Sequence, residues 1–215
     1  MKGKVITVAQ QKGGSGKTTL VANLALEAAS RGKSVAVLDT DPQGSLGRWF
    51  MARRERMGGD AGLAFGTASA WGVSYECEKL RGQHDLILVD TPPKIDADLR
   101  PALREADLVL VPVATSHVDL WATESVLELA RRERRPVLAV LNRVSARARL
   151  TADVRAAMDK LGLERTEAYL GNRVAYAEAL GNGTSAFEMA RSGPAAAEIS
   201  ALGAEIAARL ADGLE

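Results

Sequence analysis

The stretch "QQKGGSGKTT" at residues 10–19 decides the fold. It follows the short β-branched run "KVITVA" (4–9) and leads into "KTTLVANLALEAASRG" (17–32), whose apolar residues recur at helical spacing and which ends on Gly32. A strand, a glycine-rich turn and a helix in that order form the context a phosphate-binding loop requires. Glycines let the backbone come close to an anion, and successive N–H groups from Gly13 through Gly14, Ser15, Gly16, Lys17 and Thr18 can form a concave nest for phosphate oxygens. Lys17 can neutralise phosphate charge, the Thr18 hydroxyl can ligate Mg²⁺, and Thr19 is expected near the α-phosphate. Two features are unusual. Gln11 stands where the common pattern has its first glycine, and a second lysine, Lys12, precedes Lys17 by five residues.

Working outward, "SVAVLD" (34–39), "DLILVD" (85–90), "DLVLVPV" (107–113) and "PVLAVLN" (136–142) are short, nearly continuous apolar runs, as expected of strands buried on both faces. Helical patterns lie at 118–135, 149–162 and 194–213, the second with Ser145 or Thr151 as a cap and the third with Pro194 in its first turn. "TEAYL" (166–170) reads as a short final strand. Residues 44–80 are less regular, with a helical "GSLGRWFMARRERMGG" and a weak strand "LAFGTA". Strands alternating with helices imply a doubly wound, mostly parallel α/β sheet with helices on both faces. No repeat or linker interrupts the pattern, so residues 1–215 are expected to form a single domain.

Composition narrows the function. Twenty-eight Lys+Arg against 27 Asp+Glu give a net charge of +1, so any nucleic-acid contact must come from a local patch. The single cysteine, Cys77, excludes a disulfide framework or a cysteine cluster and is expected to be a small packing residue. The N-terminus enters a strand at once, with no signal-peptide pattern, and no apolar run reaches the ~18 residues of a membrane span. A cytoplasmic protein is the expectation.

Two further segments place carboxylates at strand ends, where ligands bind in open α/β sheets. These are "VLDTDPQG" (37–44) and "LILVDTPP" (86–93). Asp90 is the natural metal-side carboxylate, reaching Mg²⁺ directly or through water; Asp39 and Asp41, two apart, can hold the metal or orient the attacking water.

Together "KGGSGKTT", "LDTDPQG" and "LVDTPP" resemble the deviant Walker A, Walker A′ and Walker B motifs of the ParA/MinD-type ATPases, with looser likeness at "NRV" (142–144) and "RVAYAEALGNG" (173–183). Gln11 is ordinary for that family. The short ParA-like partition ATPases are the nearest in kind. The resemblance implies an ATP- and Mg²⁺-dependent hydrolase, weak alone and stimulated by a ParB-like or other adaptor. It implies a homodimer closed across two ATP molecules. Lys12 would then cross to the partner's phosphates while Lys17 acts in cis, Asp41 would orient the attacking water, Asp39 would lie near Mg²⁺, and Asn142 and Arg143 would approach the adenine. A partner's cation at a triphosphate is sound physics in any case, since it stabilises both the closed dimer and transition-state charge.

The output of such a cycle has three readings. One is non-specific DNA binding in the ATP state, giving a nucleoid-associated protein that segregates a plasmid or chromosome origin or positions a protein assembly. Residues 128–149 hold seven arginines against two glutamates. Within that run "RRERR" suits a solvated helix end, so Arg143, Arg147, Arg149 and Arg173, in loops or at helix starts, are the DNA candidates. The second is a MinD-like membrane-associated positioning ATPase. It is disfavoured, since residues 198–215 carry one cation, Arg209, against four acidic residues and should pack on the sheet. The third, a cluster carrier or metabolic enzyme, lacks the cysteines. The chain also has little room for an N-terminal helix-turn-helix module. Trp121 is expected in the core; Trp49 is left open between core and partner surface.

Overall fold

The computed structural model describes residues 2–93, 99–115, 117–145 and 148–211. Six strands form one sheet: β1 (Lys4–Val8), β2 (Val35–Asp39), β3 (Ala64–Thr67), β4 (Leu86–Asp90), β5 (Leu108–Ala114) and β6 (Val137–Asn142). Their order is β3-β2-β4-β1-β5-β6, and every pairing is parallel. The helices between them are α1 (Lys17–Ser30), α2 (Ser45–Arg56), α3 (Gly72–Arg81), α4 (Leu99–Glu105), α5 (His117–Arg132), α6 (Ala148–Lys160), α7 (Val174–Gly181), α8 (Ala186–Met189) and α9 (Pro194–Ala211).

Neighbouring strand residues point to opposite faces, and both faces are apolar. Ile6, Val37, Leu88, Leu110 and Val140 face a core completed by α1, α2, α7, α8 and α9. Their neighbours Val5, Ala36 and Ile87 face α3 and α4, and Val109 and Ala139 face α4, α5 and α6. The expected doubly wound architecture is therefore present, with helices on both faces of an all-parallel sheet.

Several expectations need revision. Residues 166–170 are not a strand. They run beside β6 through isolated bridges, Ala139 to Arg165 and Val144 to Gly171, with Thr166 N and Leu170 N donating to Ala139 O and Leu141 O at 2.9 Å. A ladder does not propagate because Thr166 turns its hydroxyl onto the Ala168 carbonyl, 2.7 Å away. Trp121 is 66% exposed: α5 buries Leu120, Thr123, Val126, Leu127 and Ala130, and position 121 falls outside that stripe. Trp49, by contrast, is buried, its indole N–H donating to Thr184 O at 2.9 Å. Cys77 is buried, and burial pushes its thiol up to about 12, as suits an unreactive packing residue. α9 packs chiefly on α1 through Ala195, Ile199, Leu202 and Ile206, where its acidic, alanine-rich pattern predicts packing on the sheet. Among the described residues no helix is long and apolar enough to cross a membrane.

Candidate nucleotide site

The three motifs converge at the C-terminal ends of β1, β2 and β4. The register puts Val8 beside Asp90 and Asp90 beside Asp39, so the phosphate loop and two carboxylates share one edge. The loop leaves β1 through Gln10, a buried residue whose amide donates to Pro112 O at 3.2 Å and to the Thr123 hydroxyl at 3.0 Å, and whose carbonyl oxygen accepts from Gln11 N at 2.8 Å. The loop is thereby pinned to β5 and α5 before it turns.

Gly16 caps α1 at φ 95°, with no side-chain cap, so the first-turn N–H groups face the loop's concavity. A Cβ there would lie 2.3 Å from Asn142 Nδ2, and the left-handed φ adds strain, so only glycine suits the position. Asn142, at the end of β6, donates to Ser15 O at 2.8 Å and accepts from Arg143 N at 2.9 Å. Its amide braces the loop, and this is the Asn142 contact the structure defines. Lys17 is buried with Nζ 3.1 Å from Gln10 O; burial lowers its pKa, against the pull of Asp90 and Asp41. A desolvated ammonium held by one carbonyl gains strongly from meeting phosphate oxygens.

Asp90 is buried and accepts from the Thr18 hydroxyl at 2.6 Å through Oδ2, while its Oδ1 has no partner among the described residues. Burial pushes its carboxyl up to about 7, with Asp39 and Asp41 adding to the rise and Thr18 and Lys17 opposing it. An orphaned carboxylate oxygen beside a threonine hydroxyl is the donor set a magnesium ion takes. The residues therefore fit that metal, and Thr18 and Asp90 would hold it. Asp39 is engaged otherwise. Its Oδ1 accepts from Asp41 N at 3.0 Å and its Oδ2 from Gly47 N at 2.9 Å, in the first turn of α2. It shapes the 39–47 turn and caps α2, although burial raises its pKa against these bonds. Asp41 is half-buried, with Oδ1 accepting from Gln43 N at 2.9 Å, close enough to act on Lys17 and Asp90. Thr40 ties the two strand ends together, its N–H and hydroxyl both donating to Asp90 O. Lys12, Gly13 and Gly14 lie exposed at the rim of the loop, ahead of the buried Ser15 and Lys17.

Beside the loop a cavity of about 280 Å³ is lined by Gly16, Thr19, Asn142, Arg143, Tyr176 and Leu180 among others. That is close to the ~300 Å³ lower bound of small-ligand clefts, and it lies where a base joined to loop-bound phosphates would fall. A larger cavity of about 680 Å³ opens at the opposite end of the sheet, near Lys4, Glu27 and Leu86. It includes none of the phosphate loop and none of Asp39, Asp41 and Asp90, so size is not the guide here.

Of the four arginines expected to face DNA, Arg143 is exposed at φ 54° and lines the small cavity. Arg173 also lines it, with Nε and Nη2 donating to Glu198 at 2.9 and 2.7 Å, so its charge is matched within the chain. Arg147 lies outside the described residues, as does the side chain of Arg149. Sequence reasoning missed Gln10, Thr40, Tyr176 and Glu198. The first could have been suspected as a polar residue ending a buried strand; the others have no local signal. It also missed the bringing together of Arg100 and Arg104 on α4 with Glu133 beyond the end of α5.

Comparison with known proteins agrees with this geometry. Residues 6–186 match the model of the CobQ/CobB/MinD/ParA nucleotide binding domain. The chain is 30% identical over 203 residues to the maintenance of carboxysome distribution protein A of Halothiobacillus neapolitanus, covering 92% of this chain and 93% of that one. It is 33% identical over 147 residues to the chromosome-partitioning ATPase Soj of Thermus thermophilus, covering 57% and 59%. Among solved structures, the septum site-determining protein MinD of Pyrococcus horikoshii complexed with Mg-ADP superposes with a TM-score of 0.78 at 19% identity, over 97% of both chains. A phosphate loop on β1, in-register aspartates on β2 and β4 and a family match spanning nearly the whole sheet lead to one assignment: the chain belongs to the CobQ/CobB/MinD/ParA nucleotide-binding family, as a ParA/MinD-like ATPase.

Proposed function

We propose that this chain is a positioning ATPase that binds ATP with Mg²⁺, closes into a homodimer, holds non-specific DNA in that state and distributes a protein assembly over the nucleoid. The observation that carries the cargo assignment is the near full-length match to a carboxysome distribution protein at 30% identity. Plasmid or chromosome segregation stands as the alternative cargo. An adaptor serving the role of a ParB-like protein would stimulate slow hydrolysis, and the protein would work in the cytoplasm on nucleoid DNA.

The chain's own residues divide the work. The nest from Gly13 to Thr18 and the Lys17 ammonium bind the phosphates. Thr18 and Asp90 hold the metal, with Asp39 shaping the turn beside them; the ion, when bound, neutralises phosphate charge and orients oxygens. Asp41 orients the attacking water. Lys12, at the rim, reaches the phosphates of the facing subunit, which makes closure depend on the nucleotide.

DNA phosphates need a concentration of cations and little else. Arg143, Arg147 and Arg149 stay candidates. A second concentration is the seam where α4 meets the end of α5, where Arg131, Arg134 and Arg135 lie near Arg100, Arg104 and Arg132, the last three paired with Glu133 and Glu128. Co-sedimentation tests the reading. The ATP-loaded protein should pellet with random duplex DNA and not with anionic vesicles, and substituting Arg131, Arg132 and Arg134 by alanine should cost ~10-fold or more in DNA affinity and flatten its salt dependence. ATP-loaded protein that ignores DNA, or that binds vesicles instead, would overturn it.

A further inference from the structure

The small cavity beside the phosphate loop is walled on one side by residues 171–180, the loop that enters α7 and most of that helix. Its polar groups are held from the last helix. Glu198 of α9 accepts from four donors: Gly171 N at 3.0 Å and the Tyr176 hydroxyl at 2.7 Å through Oε2, and Arg173 Nε and Nη2 through Oε1. Gly171, Arg173 and Tyr176 all line the cavity; Glu198 does not. Its carboxylate is 13% exposed, and although burial alone would raise its pKa, the bonds from Arg173, Gly171 and Tyr176 hold it below the usual carboxylate range. Gly171 is the residue that admits it, because a Cβ there would lie 3.1 Å from Glu198 Oε1 and from Arg173 Nε.

α9 is itself referenced to the helix that carries the phosphate loop. Arg31, the residue capping the end of α1, donates to Ser200 O at 3.0 Å, and Ile199, Leu202 and Ile206 pack against α1. Nearer the start of α1, Asn23 accepts from Ala186 N at 2.9 Å, tying the segment between α7 and α9 to the same helix. Loop and cavity wall therefore share one rigid reference, and Glu198 is the link between them. It lies outside the residues matched by the family model, which end at 186.

We propose that Glu198 is a positioning residue for the nucleobase: it holds Gly171, Arg173 and Tyr176 as the rigid wall against which the base of ATP rests, and it touches neither base nor phosphate. The proposal rests on the cavity's being the base subsite. A fixed wall lowers the ordering cost of binding, so its loss should weaken ligands that use the base and spare those that do not.

The experiment compares ATP with inorganic tripolyphosphate, both with Mg²⁺, by calorimetry on the full chain. Glu198→Gln keeps the volume but loses the charge and its match to four donors. It should weaken ATP about 10-fold and leave tripolyphosphate within about twofold, while Tyr176→Phe, which deletes one hydroxyl and little else, should weaken ATP about threefold with the same split. A merely structural role would lower both ligands together. Ala177→Trp, which fills the cavity, separates the two layers of the argument. If it spares ATP, the cavity is not the base subsite and the proposal falls with that reading. If it weakens ATP selectively while Glu198→Gln and Tyr176→Phe keep the wild-type ratio of the two ligands, the positioning role alone is wrong. Should Glu198→Gln fail to fold, Tyr176→Phe and Arg173→Gln carry the same comparison.

Discussion

The phosphate end and the base end of this site are built on opposite plans. At the phosphate end, the loop at 10–19 and the aspartates at 39, 41 and 90 come from contiguous motifs at strand ends, and parallel register alone sets Asp90 beside Asp39. At the base end, Gly171, Tyr176 and Glu198 come from a loop, α7 and α9, and hydrogen bonds of one carboxylate to backbone and side chain hold them together. The first plan tolerates change around it because the sheet carries the geometry. The second depends on a handful of polar contacts. On the proposed reading, nucleotide chemistry is anchored in the sheet, and the base meets a wall that could be altered without disturbing it.

The comparison can be broken most forcefully at the phosphate end. Lys17→Ala should abolish measurable ATP binding, a loss of ~100-fold or more, since a buried charge-assisted contact disappears. Asp41→Ala should leave ATP affinity within about threefold while hydrolysis falls ~100-fold, because phosphoryl transfer depends on positioning. Nucleotide-binding and single-turnover measurements on the pair check both. If Asp41→Ala hydrolyses ATP normally, the water-orienting role belongs elsewhere.

Asn142→Ala probes the hinge between the two ends. It removes the brace on Ser15 O and Arg143 N and opens space beside Gly16. ATP affinity should fall about 10-fold, the scale of one or two buried hydrogen bonds, and tripolyphosphate should weaken too, unlike the expected result at Glu198. Selective loss of ATP alone would mean that Asn142 serves the base and not the loop.

The smallest effect on binding is expected at a clamp joining α2 to α8, remote from both ligand ends. Arg53, buried at 5% side-chain exposure, meets Glu188 through two bonds of 2.8 and 2.9 Å, and Thr184 donates to the same carboxylate at 2.6 Å. Burial alone would raise the Glu188 pKa, but these bonds hold it below its ordinary value. A depressed folded value contributes stability that is present above the unfolded pKa near 4.5 and lost as pH falls through the folded one. Glu188→Gln should lower stability at neutral pH by ~1–3 kcal/mol and flatten the acid limb of the melting profile, with ATP affinity unchanged. Thermal melts across pH 3–7 check this; parallel acid limbs for the two proteins would show that the clamp does not titrate.

The same division explains what could be read in advance. The phosphate loop, β1, β2, β4, β5 and β6 were legible because each is a short run whose local pattern matches its environment: apolar on both faces, then a carboxylate or glycines. β3 was visible only weakly, since an edge strand of four residues needs less burial. α3 and α4 carry few apolar residues each and announce themselves only once the sheet covers Val73, Cys77 and Leu103. An aromatic residue at helical spacing reads as core, but the phase of α5 puts Trp121 outside its buried stripe; 166–170 has a strand's composition, but its pairing with β6 stops at isolated bridges. Glu198 was legible only as one acidic residue of a terminal helix. Its four donors sit 22 to 27 residues earlier in the chain, and no periodicity links them.

The central claim is that nucleotide closes two chains face to face through a lysine each lends the other. Sedimentation velocity of the wild type and of Lys12→Ala, each with ATP and Mg²⁺, tests it directly. The expected result is a dimer for the wild type and an ATP-bound monomer for Lys12→Ala. A Lys12→Ala protein that dimerises as readily as the wild type, or a wild type that stays monomeric when saturated with ATP, would contradict the account.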